Sequence, residues 1–176
     1  MNQLIAGYRH SLALTNSGDL FSWGYGGNCG LLSNVLSFLN TPSPLGHGSN
    51  NNFLMPELIK AFNSPVSHAA AGKDFSLAVV DGKVYGWGAG LTFLNQNPSS
   101  VPKQMTEINY FLEKNHCNVV KMKAVGYSAF FLLDNGRIYV IGKNNGGVFA
   151  TRQNPLIMND NIHDSLAKVI DDDFKG

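Results

Sequence analysis

Three stretches of this chain are versions of one another, and that repetition limits the fold more than any other feature. The fullest copy reads Gly7-Tyr8-Arg9-His10-Ser11-Leu12-Ala13-Leu14-Thr15-Asn16-Ser17-Gly18-Asp19-Leu20-Phe21-Ser22-Trp23-Gly24. The second spans Gly72–Gly88 and the third Gly126–Gly142. Each opens on a glycine (Gly7, Gly72, Gly126), turns at a glycine (Gly18, Gly82, Gly136) and closes on one (Gly24, Gly88, Gly142). The turns read Asn-Ser-Gly, Asp-Gly and Asp-Asn-Gly, between short β-rich runs. Turns of this kind need a positive φ, so each copy predicts a β-hairpin.

More of the unit repeats around the hairpin. A short apolar strand precedes each opening glycine, at Leu4–Ala6, Val66–Ala71 and Val119–Val125. A Gly/Asn loop follows each closing glycine, and then a proline-marked segment at Thr41–Leu45, Pro98–Pro102 or Pro155–Ile157. Proline in a sheet fits an edge strand, a strand start or a bulge. The unit therefore reads as four antiparallel strands with the proline-marked strand outermost. Four short strands in each unit are the composition of a β-propeller blade. The fold class is all-β, a partial β-propeller of about three blades, with units at roughly 1–65, 66–118 and 119–176.

Between the blades, two inserts read as helical. Met55–Phe62 places Pro56 near a helix start and Leu58, Ile59 and Phe62 on one face. Met105–His116 does the same with Ile108, Phe111 and Leu112. Gly46–Asn52 reads as a mobile surface loop. Leu166–Gly176 resembles the strand and glycine that would open a fourth unit. Three blades do not close a ring, and open blade faces expose apolar surface. The expectation is a fragment of a longer propeller, an incomplete gene product, or an assembly.

Composition excludes several classes. Hydrophobic residues make up 44% of the 176 residues and charged residues 14%, so a packed core is within reach. The net charge is +1 and Lys and Arg form no run, which leaves chromatin contact without a basic patch to carry it. No apolar run is long enough for a membrane span, and the N-terminus does not read as a signal peptide. Cys29 and Cys117 are the two cysteines, read as free thiols in a reducing compartment. The expected location is inside a cell, in cytoplasm or nucleus. Delivery into a host cell as a bacterial effector is compatible with the same residues.

The sequence features resemble the regulator of chromosome condensation repeat: Gly-x-x-His-Ser-x-Ala-Leu, a turn glycine, a β-run to Trp-Gly, a Gly/Asn loop and Thr-Pro. The resemblance covers three repeats, and Gly7–Gly24 carries it best. Ile141 replaces the Trp in the third copy, and Phe75 and Ala129 are read as replacing the His. These departures mark a divergent member. The resemblance implies a propeller, usually of seven blades, that binds proteins on one face. The family's roles include nucleotide exchange on the small GTPase Ran, chromatin binding, ubiquitin-ligase domains and a plant ultraviolet-B photoreceptor. The photoreceptor has Trp-Arg where this chain has Tyr8-Arg9, and without a Trp cluster photoreception is not expected.

Residues that suggest chemistry have plainer readings. His10 reads as a structural hydrogen-bonding residue rather than a base, since no Ser/Asp partners recur with it. Trp23 and Trp87 read as packing between blades. Gly24–Gly30 lacks the spacing of a phosphate loop. His47, His68, His116 and Cys117 lack metal-ligand spacing, and Asp171-Asp172-Asp173 lacks the rest of a calcium loop. No metal, cofactor or catalytic set is expected. The candidate partner site is the pair after each opening glycine: Tyr8 and Arg9, Lys73 and Asp74, Tyr127 and Ser128. In a propeller these turns gather round the mouth of the channel, and Tyr and Arg are typical interface anchors. The expected function is a protein-binding module, with regulation of a Ran-type small GTPase as its specific form. The alternative is a structural piece that completes a propeller with another chain or with itself.

Overall fold

The computed structural model describes residues 3–27 and 41–143. Three antiparallel sheets follow one another along the chain, each one blade of a β-propeller. Blade one is β1 (Gln3–Ala6), β2 (His10–Leu14), β3 (Leu20–Gly24) and β4 (Phe53–Leu58), hydrogen-bonded in that order. Blade two is β5 (Val66–Ala71), β6 (Ser76–Val80), β7 (Lys83–Gly88) and β8 (Ser99–Gln104), again in sequence order. Blade three has β9 (Val119–Val125), β10 (Ser128–Leu133) and β11 (Ile138–Gly142) among the described residues. A short 3-10 helix (Ala89–Leu94) leads into β8, and α1 (Thr106–Lys114) joins blade two to blade three. The innermost strands β1, β5 and β9 stand side by side.

The repeated hairpin is where sequence and structure agree most closely. In blade two Asp81 and Gly82 both have positive φ, 49° and 73°, which suits a tight turn in register with the twist of the strands. Val80 and Lys83 pair directly across it. Alternate residues of each middle strand then face opposite neighbours. His10, Leu12 and Leu14 face blade two, and Ser76, Ala78 and Val80 face back toward them. The resulting core holds Leu12, Leu14, Leu20, Ala78, Val80 and Trp87. The other side of β6 sends Leu77 and Val79, with Phe75 just before the strand, into a second core with Ala129, Phe131 and Ile141. All of β6 is buried, because blade two is covered on both faces.

The outer part of blade one differs from the sequence reading. Met55–Phe62 is no helix: Phe53–Leu58 is the fourth strand, paired with β3. Pro56 lies on this outermost strand, where the missing N–H costs no ladder bond. The apolar signal of Ile59 and Phe62 came from a different burial. Ile59 is 3% exposed in the core between blades one and two. The Phe62 ring stands edge-on to Tyr85 at 5.5 Å and tilted to Trp87 at 6.1 Å. Thr41–Leu45, expected as that fourth strand, is a turn whose carbonyls plug the seam between the blades.

Gly46–Asn52, expected to be mobile, is fastened to both blades. Ser22 Oγ donates to the Leu45 carbonyl at 2.6 Å and so accepts from His47 Nε2 at 2.8 Å. The amide of Gly48 donates to the Ser100 carbonyl at 2.9 Å, and Ser100 Oγ donates to Asn50 at 3.1 Å. The second insert is the helix expected of it. Asn109 on α1 exchanges two hydrogen bonds with the backbone of Val84, at 2.8 and 3.0 Å, which pins the helix to blade two. Ile108 and Leu112 fill the core beneath. The expected Gly/Asn loop beyond Lys143, the segments Pro155–Ile157, Leu166–Gly176 and Asp171–Asp173, and Cys29 lie outside the described residues.

Candidate partner-binding face

The face is built from the turns that join each first strand to the second. In blades one and two the turn is closed by a hydrogen bond from the opening glycine to the fourth residue: Gly7 N–H to His10 carbonyl at 2.8 Å, and Gly72 N–H to Phe75 carbonyl at 2.9 Å. A side chain on either glycine would land inside the ring of that fourth residue, so no other residue fits there. Neighbouring turns are stitched together. The amide of Tyr8 donates to the Gly72 carbonyl at 3.3 Å, and that of Lys73 to the Gly126 carbonyl at 2.7 Å. The three turns therefore form one continuous arc.

A second repeated bond fixes which residues correspond. Each loop after a closing glycine returns an amide to the turn: Tyr25 to the Arg9 carbonyl, Gly90 to that of Asp74, Lys143 to that of Tyr127. Arg9, Asp74 and Tyr127 are thus structural equivalents, and the third turn is one residue shorter than the other two. His10, Phe75 and Ser128 are equivalent in turn. This corrects the sequence reading, in which Ala129 replaced the His. Ser128 is buried, pairs across from Gly142 as His10 does from Gly24, and donates to the Lys143 carbonyl at 2.6 Å. It belongs to the scaffold and not to the exposed row.

The other five candidates come together. Arg9 Nη2 meets Asp74 Oδ1 at 3.1 Å, bridging blades one and two. The Arg9 guanidinium lies 4.0 Å from the centre of the Tyr25 ring. Partial burial works against its charge, but the hydrogen bond and charge of Asp74 outweigh that and raise its pKa. Lys73 stands between two tyrosines, 4.8 Å from the Tyr127 ring and 5.6 Å from the Tyr8 ring. Its pKa is raised first by the hydrogen bond to Tyr127. Lys143 continues the row, 4.3 Å from Phe93 and 5.7 Å from Tyr127, while those two rings lie 4.2 Å apart. Cations placed over aromatic faces are attracted by the ring quadrupole, which holds the side chains in place.

Tyr25, Phe93 and Lys143 were missed by the sequence reading. Two of them directly follow a closing glycine, in Gly24-Tyr25 and Gly142-Lys143, and Phe93 sits in the 3-10 helix after Gly88. The position after the closing glycine was a usable signal.

Beneath the row, His10 has a structural task. Trp87 Nε1 and Ser76 Oγ both donate to the Pro44 carbonyl at 2.7 Å. With its hydrogen so engaged, Ser76 Oγ accepts from His10 Nε2 at 2.8 Å. The histidine carries its proton on Nε2, and Nδ1 is buried without a hydrogen-bond partner. Burial lowers its pKa to about 4, so the ring is neutral near pH 7.

Comparison with known proteins agrees with this architecture. The profile of the regulator of chromosome condensation (RCC1) repeat matches residues 6–31. The mitochondrial RCC1 domain-containing protein RUG3 of Arabidopsis thaliana is 29% identical over 133 residues, covering 73% of this chain and 27% of that protein. The crystal structure of human WBSCR16 matches with a TM-score of 0.59 at 24% identity, over 82% of this chain and 35% of that one. Prp20p from Saccharomyces cerevisiae, described with its binding properties to Gsp1p and histones, matches with a TM-score of 0.57 at 19% identity, over 81% of this chain and 32% of that one. At these identities the two structures speak for the fold alone. The chain spans about a quarter of RUG3 and about a third of each solved structure.

Proposed function

Because the chain is a divergent member of the regulator of chromosome condensation repeat family, we propose that it is a protein-binding propeller module acting through the arc of turns. One observation carries this reading. Five side chains from three blades (Tyr8, Arg9, Lys73, Asp74 and Tyr127) are drawn into one row by backbone bonds between turns and by contacts between blades. Tyr8 is 70% exposed, which leaves its ring available to a partner.

The specific partner proposed is a small GTPase of the Ran type, the role implied by the family resemblance. The likeness to Prp20p, whose reported binding is to Gsp1p and histones, supports a protein partner of this kind. In this reading no covalent bond is made or broken. A face that binds the nucleotide-free GTPase more tightly than the loaded one speeds nucleotide release by that difference in affinity. Both ring nitrogens of His10 are buried beneath the face and leave no base directed at a partner. The proposed place of action is inside the cell, in cytoplasm or nucleus. Among the described residues no helix is long and apolar enough to cross a membrane.

Retention of a panel of nucleotide-free GTPases on the immobilised chain tests the proposal. At least one is expected to be retained, and Arg9→Ala and Asp74→Ala are expected to change its retention several-fold. If no GTPase is held, the GTPase clause falls. If a protein partner is held and both substitutions leave it unaffected, the face is the wrong site.

A second reading, completion of a larger ring, rests on Ser11 and Trp23. They pair across β2 and β3 as Ser76 and Trp87 pair across β6 and β7. Ser76 and Trp87 are fully buried against the preceding blade, whereas Ser11 and Trp23 are half-buried on a face no described residue covers. That face would accept a unit bringing a histidine and a proline carbonyl. Light scattering after gel filtration is expected to show a species larger than 19.1 kDa in this reading. A strictly monomeric species that stays soluble would count against it.

A further inference from the structure

The inference here rests on the arc being a docking face and concerns the chemistry of what docks. Among the described residues, the three turns and the loops that follow the closing glycines carry four charged side chains: Arg9, Lys73, Lys143 and one carboxylate, Asp74. The whole chain nets +1. With three cations and one carboxylate, this face carries a net charge of +2. The carboxylate does not cancel the row evenly. It is bound to Arg9 at one end, while Lys73 is held between Tyr8 and Tyr127, with a hydrogen bond to Tyr127, and Lys143 lies over Phe93 and Tyr127.

The geometry points to an acidic, extended segment of a protein partner as the ligand of this row. We propose that Lys73 and Lys143 receive its carboxylates, with Tyr8 and Tyr127 giving the flanking apolar surface and phenol donors. Alternating cations and aromatic rings suit a peptide whose acidic side chains are interspersed with uncharged ones. Complementary charge of this kind sets orientation and encounter rate more than bulk affinity. A nucleic acid would also find cations and stacking surfaces here. Two observations disfavour it: Asp74 stands in the row where a phosphate backbone would pass, and the chain has no run of Lys or Arg to follow that backbone.

Fluorescence anisotropy with three labelled probes tests this. They are a peptide of repeated Glu-Gly-Asp-Gly, a peptide of repeated Lys-Gly-Arg-Gly, and oligothymidylate. The acidic peptide is expected to bind, to weaken as salt rises, and to lose about tenfold or more in affinity on combining Lys73→Glu with Lys143→Glu. Near-ultraviolet circular dichroism from the buried Trp87 reports that the double variant stays folded. Equal binding of the two peptides overturns the inference. So does tighter binding of oligothymidylate that the same double variant abolishes, which would assign the row to nucleic acid. Failure here is separable from failure of the docking face itself. If a GTPase or other protein is retained and responds to Arg9→Ala but neither to salt nor to Lys73→Glu, the face stands and the acidic-segment inference falls.

Discussion

Blade two meets its neighbours through two seams that use the same backbone positions and opposite chemistry. On the side of blade one, His10, Ser76, Trp87 and the Pro44 carbonyl form a polar latch in the middle of an apolar core. On the side of blade three the equivalent places hold Phe75, Ala129 and Ile141, with Phe131 beside them and α1 closing the outside. There, side-chain polar contact between the blades sits at the exposed inner rim, where His68 Nε2 donates to the Val120 carbonyl at 2.8 Å. The common requirement is geometric. A ring folds over the opening glycine, a small residue follows it, and a large residue from the third strand fills the seam. Hydrogen bonds can be added to that plan or left out together. Removing all partners of a buried polar set is nearly neutral, whereas removing one strands the rest.

The largest effect should come from the large residue. Trp87→Ala removes a fully buried indole from the latched seam, and about 3–5 kcal/mol of stability should go with it. Phe131→Ala, in the unlatched seam, should cost a similar amount. Urea denaturation of the two variants compares the seams directly. If Trp87→Ala costs far more than Phe131→Ala, the latch contributes cooperatively and the seams are not interchangeable.

Acid should distinguish the seams next. An unfolded histidine takes up a proton below its ordinary pKa of 6.5, but buried His10 does so only near 4. Between those values the unfolded state holds more protons, so stability falls as pH falls through that window and is unaffected above it. The loss is at most about 3 kcal/mol. His47, lowered chiefly by its own burial, adds in the same direction. His10→Phe should flatten most of the pH dependence, and a profile unchanged by it would remove His10 from the latch account.

Converting one seam into the other is a milder test. Ser76→Ala alone strands the Nε2 proton of His10 and should cost about 1–3 kcal/mol. Combining it with His10→Phe reproduces the pairing of Phe75 with Ala129. The double variant should be less destabilised than the sum of the single ones, measured as a double-mutant cycle. Strict additivity would mean that the two residues do not act as one unit.

The contrast also explains what could be read from the residues. Hairpins were legible because Gly18, Gly82 and Gly136 each mark a conformation with few other solutions. The helix at Thr106–Lys114 was legible because Ile108 and Leu112 bury at helical spacing. Met55–Phe62 misled for the same reason: Ile59 and Phe62 are apolar because of the seam to Trp87, and periodicity cannot tell a helix face from residues buried beyond a strand end. The short third turn was hidden as well. Counting from Gly126 aligns Ala129 with His10, and the missing residue shows in the bond from Lys143 to the Tyr127 carbonyl and in the pairing of Ser128 with Gly142. Of the site, the arc of turns could be placed from the repeat. Its continuation through Tyr25, Phe93 and Lys143 depends on how the next loop folds back.

The smallest effect on stability should come from the ion pair that, among the described residues, crosses the latched seam at the surface. Arg9 and Asp74 have side-chain exposures of 47% and 24%, and such a pair contributes less than about 1 kcal/mol. Asp74→Ala should therefore leave the denaturation midpoint nearly unchanged while altering the face above it. Arg9 would keep its place over Tyr25, and the row would lose its one carboxylate. An acidic peptide should then bind more tightly than to the unaltered chain, with the gain shrinking as salt rises. A partner that uses Asp74 itself should bind less tightly at every salt concentration. The sign of that single change thus separates a carboxylate that restrains the row from one that is part of its recognition surface.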